Sequence, residues 1–280
     1  MYEKVRGTLV VIGGAEDKDD RCLILKRFVE LAGGKQAKLV IVTTATVEPG
    51  VSGEVYCRLF RQLGVGDTAV LNVNTRQDAR APRVKEVLER ATGIFFTGGD
   101  QLRLTSILGG TLVDDALHKA YLQGTIIAGT SAGASAMSET MIVEGEEAEA
   151  PRKNIVQMAP GLGLLREVVI DQHFAQRGRL GRLLTAVAQH PYVLGLGIDE
   201  DTAIIVSPDG SFEVVGSQTV SVIDGKQIRQ TNVSAKSPDE PLVLTNVVLH
   251  ILPAGYRFDM KKRAPFVKRI IQANVSKNRK

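Results

Sequence analysis

The chain has 280 residues, 44% of them hydrophobic and 24% charged, with a formal net charge of +4. This is enough apolar chain to bury a large core, which excludes disordered and disulfide-stapled classes, and no apolar run is long enough to span a bilayer. The charge is uneven: eight of the 35 basic residues and no acidic one fall within 261–280, leaving 27 basic residues against 31 acidic ones. The basic character therefore belongs to a C-terminal tail, which reads first as a solvated end and second as a polyanion-binding segment.

Met1 leads almost directly into a strand-like run, so no signal peptide is expected. Short, β-rich runs bounded by Gly or Thr follow at Thr8–Ile12, Ala37–Val42, Thr68–Val73, Gly93–Phe96 and Thr125–Ala128. Helical periodicity lies between them at Cys22–Leu31, Gly53–Leu63, Arg83–Ala91, Gln101–Leu108 and Val113–Leu122. Repeated β-α units predict a parallel sheet with helices on both faces and a binding rim at the strands' carboxyl ends. Met141–Pro160 reads as an acidic loop carrying Glu144, Glu146, Glu147 and Glu149. A further unit follows: strand Val168–Ile170, helix Leu180–Gln189, strand Leu194–Ile198. Beyond it, Ala203–Val206, Phe212–Val215, Thr219–Ile223 and Leu242–Leu252 read as an antiparallel extension of the same sheet. The tail's Phe266-Val267 and Ile270-Ile271 pairs have the spacing of an amphipathic helix. Nothing resembles a linker, so 1–260 is expected to form a single α/β domain and 261–280 a basic tail. Cys22 and Cys57 have no metal-ligand spacing and read as free thiols in a reducing cytoplasm.

Thr125–Ser135 carries the main chemical signal. An apolar run ends in Gly129-Thr130-Ser131-Ala132-Gly133, the G-x-S-x-G pattern in which a strand turns sharply into a helix with serine at the apex. Glycines are needed on either side because a Cβ would crowd the turn. The pattern alone is equally an ordinary tight turn, so a base must be found. Of the four histidines, His118 sits in a helix, His190 at a helix end and His250 in an alternating strand. His173 follows Val168–Ile170 at a strand's carboxyl end, on the rim expected for Ser131. Two carboxylates compete to orient it, and Glu200, at the end of the Leu194–Asp199 run, is better placed than Glu149 in the acidic loop. The order Ser131, His173, Glu200 differs from that of α/β-hydrolases. An oxyanion hole would use the N–H of Ala132 and the Gly98-Gly99 turn. Neither a P-loop nor a G-x-G-x-x-G is present, and Gly195-Leu196-Gly197 lies inside a strand pattern, so no nucleotide cofactor is expected. The absence of a nucleic-acid motif and the acidic body argue against a nucleic-acid partner.

These motifs, with Gly13-Gly14-Ala15-Glu16-Asp17, Phe96-Thr97-Gly98-Gly99-Asp100-Gln101, Asp171-Gln172-His173-Phe174, Gln176-Arg177-Gly178-Arg179 and Gly197-Ile198-Asp199-Glu200, closely resemble the cyanophycinase family from about residue 7 to about residue 255. The family's relative, aspartyl dipeptidase, shares the elbow and the glycine turns but usually lacks the Gln-Arg-Gly-Arg run. The resemblance implies a three-layer α/β/α, class I glutamine-amidotransferase-like fold, mostly parallel with an antiparallel C-terminal extension. It implies a cytoplasmic, homodimeric serine exopeptidase, without metal or cofactor, that releases β-Asp-Arg dipeptides from cyanophycin, an arginine-decorated polyaspartate. Ser131, His173 and Glu200 would then be nucleophile, base and orienting acid, and Gln101, Asp171, Gln172, Arg177, Arg179 and Arg182 would form the substrate pocket. Independently of the resemblance, arginine forks near the base suit a carboxylate-rich substrate, and Asp171 with the Glu144–Glu149 loop could accept its guanidinium groups. A dipeptidase of short aspartyl peptides and a non-enzymatic polyanion binder are the alternatives.

Overall fold

The computed structural model describes residues 5–145, 150–234 and 240–266. Strands β1 (Leu9–Ile12), β2 (Lys38–Val42), β3 (Asp67–Leu71), β4 (Gly93–Phe96) and β5 (Ile126–Thr130) pair in parallel in the order β1-β5-β4-β2-β3. The helices between them are α1 (Leu23–Leu31), α2 (Pro49–Gln62), α3 (Pro82–Glu89), α4 (Gln101–Leu108) and α5 (Leu112–Gln123). Local chemistry sets their ends. Pro49 and Pro82 open α2 and α3, Asp100 caps α4 through the Arg103 N–H, and Gly124, with φ 114°, closes α5 in the left-handed region.

Alternation divides each strand between two cores. Val10, Ile12, Leu39, Ile41, Phe95 and Ala128 pack with α1 and α2. Leu9, Val11, Val40, Val42, Ile94, Phe96 and Ile127 pack on the opposite face with residues of α3, α4 and α5. The expected helix–sheet–helix layering is thus observed.

The rest of the chain comprises α6 (Ala132–Ser135), β6 (Thr140–Gly145), β7 (Val156–Pro160), β8 (Val168–Gln172), α7 (Leu180–Gln189), β9 (Leu194–Ile198), β10 (Thr202–Val206), β11 (Ser211–Gly216), β12 (Thr219–Asp224), β13 (Val248–Pro253), β14 (Arg257–Asp259) and β15 (Ala264–Pro265). Beside β1, strands β10, β11, β14 and β15 add the antiparallel extension, completing nine strands. Its membership differs from what the sequence suggested: β14 and β15 stand where β12 and β13 were expected, and β12 and β13 leave the sheet. They join β9 and β8 in a separate four-stranded sheet, ordered β13-β12-β9-β8. Alternation marks a strand but does not name its neighbours. Val168, Ile170, Leu196, Ile198, Val220 and Val222 turn one face of this second sheet into the core that also holds Val11, Ile204 and Val214. Val169 and Ile223 turn the other face onto Leu183, Ala186 and Val187 of α7.

Two further expectations change. The supposed loop over Met141–Pro160 is an antiparallel hairpin whose arms are β6 and β7, with a bulge between Ile142 and Glu144. Residues 146–149, and with them Glu146, Glu147 and Glu149, lie outside the described residues. The strand expected over Leu242–Leu252 is confined to Val248–Pro253, because Asn246 takes φ 62°, which extended backbone does not allow. The first six residues of the basic tail are joined to the body: Lys261 Nζ donates to Asp209 O at 2.6 Å, and Arg263 pairs with Asp224. The helix anticipated around Phe266–Ile271 falls mostly beyond the described residues. Among the described residues no helix is long and apolar enough to cross a membrane.

Candidate active site

Thr130 is the last residue of β5, and Ser131 follows with φ 53° and ψ −113° before α6 begins. Such backbone costs an L-residue about 1–3 kcal/mol and persists only where its surroundings enforce it. Here the Ser131 N–H donates to Ile12 O at 3.0 Å, and the Ser131 carbonyl accepts from the Ala134 and Ser135 N–H groups. A Cβ on Gly129 would lie 2.5 Å from Gly133 O, and one on Gly133 would lie 2.7 Å from the Phe96 carbonyl oxygen. Both positions of the elbow therefore require glycine.

His173 follows β8 and also has positive φ, 47°. Its N–H donates to Gly13 O at 2.8 Å. Its Nε2 lies 3.0 Å from Ser131 Oγ, and its Nδ1 lies 2.6 Å from Glu200 Oε1. Gly14, with φ 101°, backs the imidazole so closely that a Cβ would stand 2.4 Å from the ring. The loop after β1, the elbow after β5, the turn after β8 and the turn after β9 thus converge, although β8 and β9 belong to the second sheet. Glu200 is half-buried and its backbone N–H donates to Gln176 Oε1 at 3.0 Å. The buried Asp199 carboxylate accepts from Ala175 N at 3.0 Å and from Thr219 Oγ1 at 2.8 Å, joining the base-bearing turn to β12.

Burial holds the His173 pKa below its ordinary value; the hydrogen bond to Glu200 opposes this, and the positive charge of Arg177 reinforces it. Burial therefore favours the neutral imidazole, the form a general base requires. Since only the neutral form can accept a proton, the acid limb of kcat/KM should lie below about pH 6.5. Arg177→Gln removes a cation that disfavours the imidazolium, so it should raise this pKa and move the acid limb to higher pH. A pH–rate profile of the two proteins measures the displacement; a limb moving to lower pH would contradict this electrostatic account.

The arrangement has the parts of acyl transfer: a hydroxyl in contact with a base, and a base whose second nitrogen is fixed by a carboxylate. Residues 9–214 match the model of peptidase family S51. The chain belongs to peptidase family S51. It is accordingly a serine-type peptidase. It is 41% identical over 266 residues to a cyanophycinase of Geminocystis herdmanii, covering 95% of this chain and 98% of that protein. A cyanophycinase of a Nostoc species is 41% identical over 271 residues, covering 96% and 91%. The solved structure of a peptidase from an acI-B1 Actinobacterium superposes with a TM-score of 0.61 at 24% identity, over 89% of this chain and 98% of that one, and so shares the fold.

The remaining sequence-picked residues are distributed around this centre. Gly98 faces the serine: a Cβ there would be 3.5 Å from Ser131 Cβ. Gly99, φ 142°, packs against Ala45 so tightly that a Cβ would meet its carbonyl oxygen at 2.2 Å. Ala132 is buried at the start of α6. Gln172 Oε1 accepts from Ser131 Oγ at 3.4 Å. Gln101 Nε2 donates to the carbonyls of Ile142 and Val143, both at 2.9 Å, and so grips β6. Arg177 is exposed beside the base. Arg179 and Arg182 are only 5% and 6% exposed. Arg182 forks onto both oxygens of the buried Asp171, with Nε at 2.7 Å from Oδ2, and Arg179 lies 3.5 Å from Asp171 and donates to Gln172 O at 2.7 Å. The competing carboxylate, Glu149, is not among the described residues. The other histidines stand apart from this centre: His118 contacts Leu162 O, His190 ends α7, and His250 packs on Phe258.

Gly14, Gln176 and Asp199 support the site, a role the motifs that contain them do not assign. Their signals were present: a glycine pair at a strand end, and polar residues flanking the base and the orienting acid. Gly195 and Gly197, by contrast, are packing glycines, since added Cβ atoms would strike Val187 of α7 and the Phe174 ring.

Proposed function

We propose that this chain is a cyanophycinase, hydrolysing cyanophycin to β-Asp-Arg dipeptides through an acyl-enzyme on Ser131. The observation that carries the reading is the unbroken Ser131–His173–Glu200 chain, at 3.0 and 2.6 Å, in a chain 41% identical to proteins that bear that name. The Glu200 carboxylate accepts from Nδ1–H and so leaves the Nε2 lone pair facing the hydroxyl. Ser131 Oγ attacks the peptide carbonyl while His173 takes its proton. The N–H groups of Ala132 and the Gly98-Gly99 turn would receive the oxyanion. The imidazolium returns the proton to the leaving amine, and water then repeats the sequence on the ester.

The substrate end is rich in carboxylates and guanidinium groups. Arg177, exposed next to the base, is suited to a carboxylate of the polymer. Gln101, Asp171, Gln172, Arg179 and Arg182 would form the pocket's wall, the last two held against Asp171. A homodimer in the cytoplasm completes the proposal, and sedimentation of the purified protein tests the assembly.

Incubating the purified chain with insoluble cyanophycin and scoring β-Asp-Arg by mass tests the function. Dipeptide should accumulate with the native chain, and Ser131→Ala should reduce its release by about 10⁴-fold or more. Release undiminished in Ser131→Ala would sink the mechanism, and cleavage of short Asp-X peptides alone would move the assignment to a dipeptidase.

A further inference from the structure

A further buried carboxylate lies beneath the elbow. The Glu16 side chain is 1% exposed. Its Oε2 accepts from Thr130 Oγ1 and its Oε1 from the Tyr56 hydroxyl of α2, each at 2.5 Å. Lys18 Nζ closes the cluster at 2.9 Å from Oε1 and lies 5.6 Å above the Tyr56 ring. Both hydroxyl bonds converge on one carboxylate, so removing it would orphan two buried hydroxyls at once. Burial and the neighbouring negative charge push the Tyr56 phenol well above its ordinary pKa, so it remains a donor at any working pH.

The location gives this cluster its interest. Thr130 immediately precedes Ser131, whose backbone lies in a costly region. Glu16 lies in the same short segment, 12–16, that holds the backbone of both reacting residues. Ile12 O holds the Ser131 N–H, Gly13 O holds the His173 N–H, and Gly14 backs the imidazole. The segment also reaches the acid: Gly14 O accepts from Asp201 N at 2.9 Å, next to Glu200.

From this geometry we infer that Glu16 is a positioning residue for the nucleophile: by clamping Thr130 and Tyr56 it fixes the elbow to the 12–16 segment that backs the base, and so sets the Ser131–His173 approach. The inference deepens the proposed mechanism and rests on Ser131 being the nucleophile. Charge-assisted hydrogen bonds to two neutral donors are stronger and more geometrically demanding than amide ones. A glutamine would have to turn an N–H towards one of the two hydroxyls and would leave Lys18 without its counter-charge.

The test compares Glu16→Gln, Thr130→Val, Thr130→Ser and the double variant Glu16→Gln/Thr130→Val. Three readouts are taken: kcat and KM for dipeptide release, the rate of Ser131 labelling by a fluorophosphonate, and the thermal midpoint. In labelling, Oγ bonds phosphorus, fluoride leaves and the hydroxyl proton passes to His173, so the rate reports the serine–histidine geometry whatever the natural substrate. Glu16→Gln and Thr130→Val should each slow kcat and labelling by about 10- to 100-fold with KM little changed. Thr130→Ser, which keeps the hydroxyl, should stay near the native rate. The double variant should be no slower than the slower single one, because both remove the same clamp. Thr130→Val conserves volume, so it remains informative if Glu16→Gln fails to fold. Native-rate labelling of the folded Thr130→Val protein would overturn the inference. So would Thr130→Ser as slow as Thr130→Val, or losses that multiply in the double variant. If the native chain is labelled but does not cleave cyanophycin, the substrate assignment fails while the labelling series still decides the role of Glu16.

Discussion

Glu200→Gln should lower kcat on cyanophycin by about 10⁴-fold, with KM and the thermal midpoint little changed. The effect follows from the Nδ1–Oε1 contact of 2.6 Å. A carboxylate only accepts, so it requires the proton on Nδ1 and leaves Nε2 as the base. An amide can present its N–H₂, which favours the tautomer with the proton on Nε2, facing Ser131 and unable to accept from it. The backbone at 200 is held independently, by the Gln176 side chain and through Asp201 on Gly14. The substitution should therefore leave the turn in place and isolate the electronic effect. Steady-state kinetics with cyanophycin measure it. A loss under about tenfold would mean that another carboxylate, with Glu149 the first candidate, orients the imidazole.

The parts of this site differ in how far the sequence disclosed them. Gly93–Phe96, Gln101–Leu108, Leu180–Gln189 and Leu194–Ile198 have the bounds that periodicity and glycine punctuation predicted. The serine elbow was legible for a similar reason: its glycines are demanded by contacts a few residues apart, Gly129 against Gly133 O. The pairing of β12 and β13 with β9 and β8 was not legible, because alternation records which face is apolar and not which strand lies alongside. The β6–β7 hairpin was hidden by Glu144 and the glutamates that follow it, whose charge outweighs the apolar Met141, Ile142 and Val156 in a composition-based reading. Glu16 was quoted within a motif without a role, since its partners Tyr56 and Thr130 lie 40 and 114 residues away. Local spacing carries no information about such contacts.

Asp171 is where sequence and structure diverge most, and it carries the second large expected effect. Read from sequence, the arginines after His173 face a carboxylate-rich substrate, because cations at a helix start oppose its dipole and need a compensating partner. Such a partner exists within the protein: Asp171, 1% exposed, forked by Arg182 and approached by Arg179. Removing one member of a buried pair leaves the other charge desolvated without compensation, which costs about 3–5 kcal/mol. Asp171→Ala should therefore lower the thermal midpoint by roughly 10 °C. Arg182→Leu should also destabilise, and the double variant should lose much less than the two singles combined, because it leaves no Asp171–Arg182 charge stranded. Thermal unfolding of the three proteins gives the comparison. The substrate-reading alternative makes the opposite division: Arg182→Leu would raise KM for cyanophycin while leaving the midpoint where it was. The two accounts meet at Gln172, whose carbonyl binds Arg179 and whose side chain touches Ser131. Through that residue a loosened ion pair reaches the nucleophile, so in Asp171→Ala kcat should fall even at temperatures where the protein is fully folded.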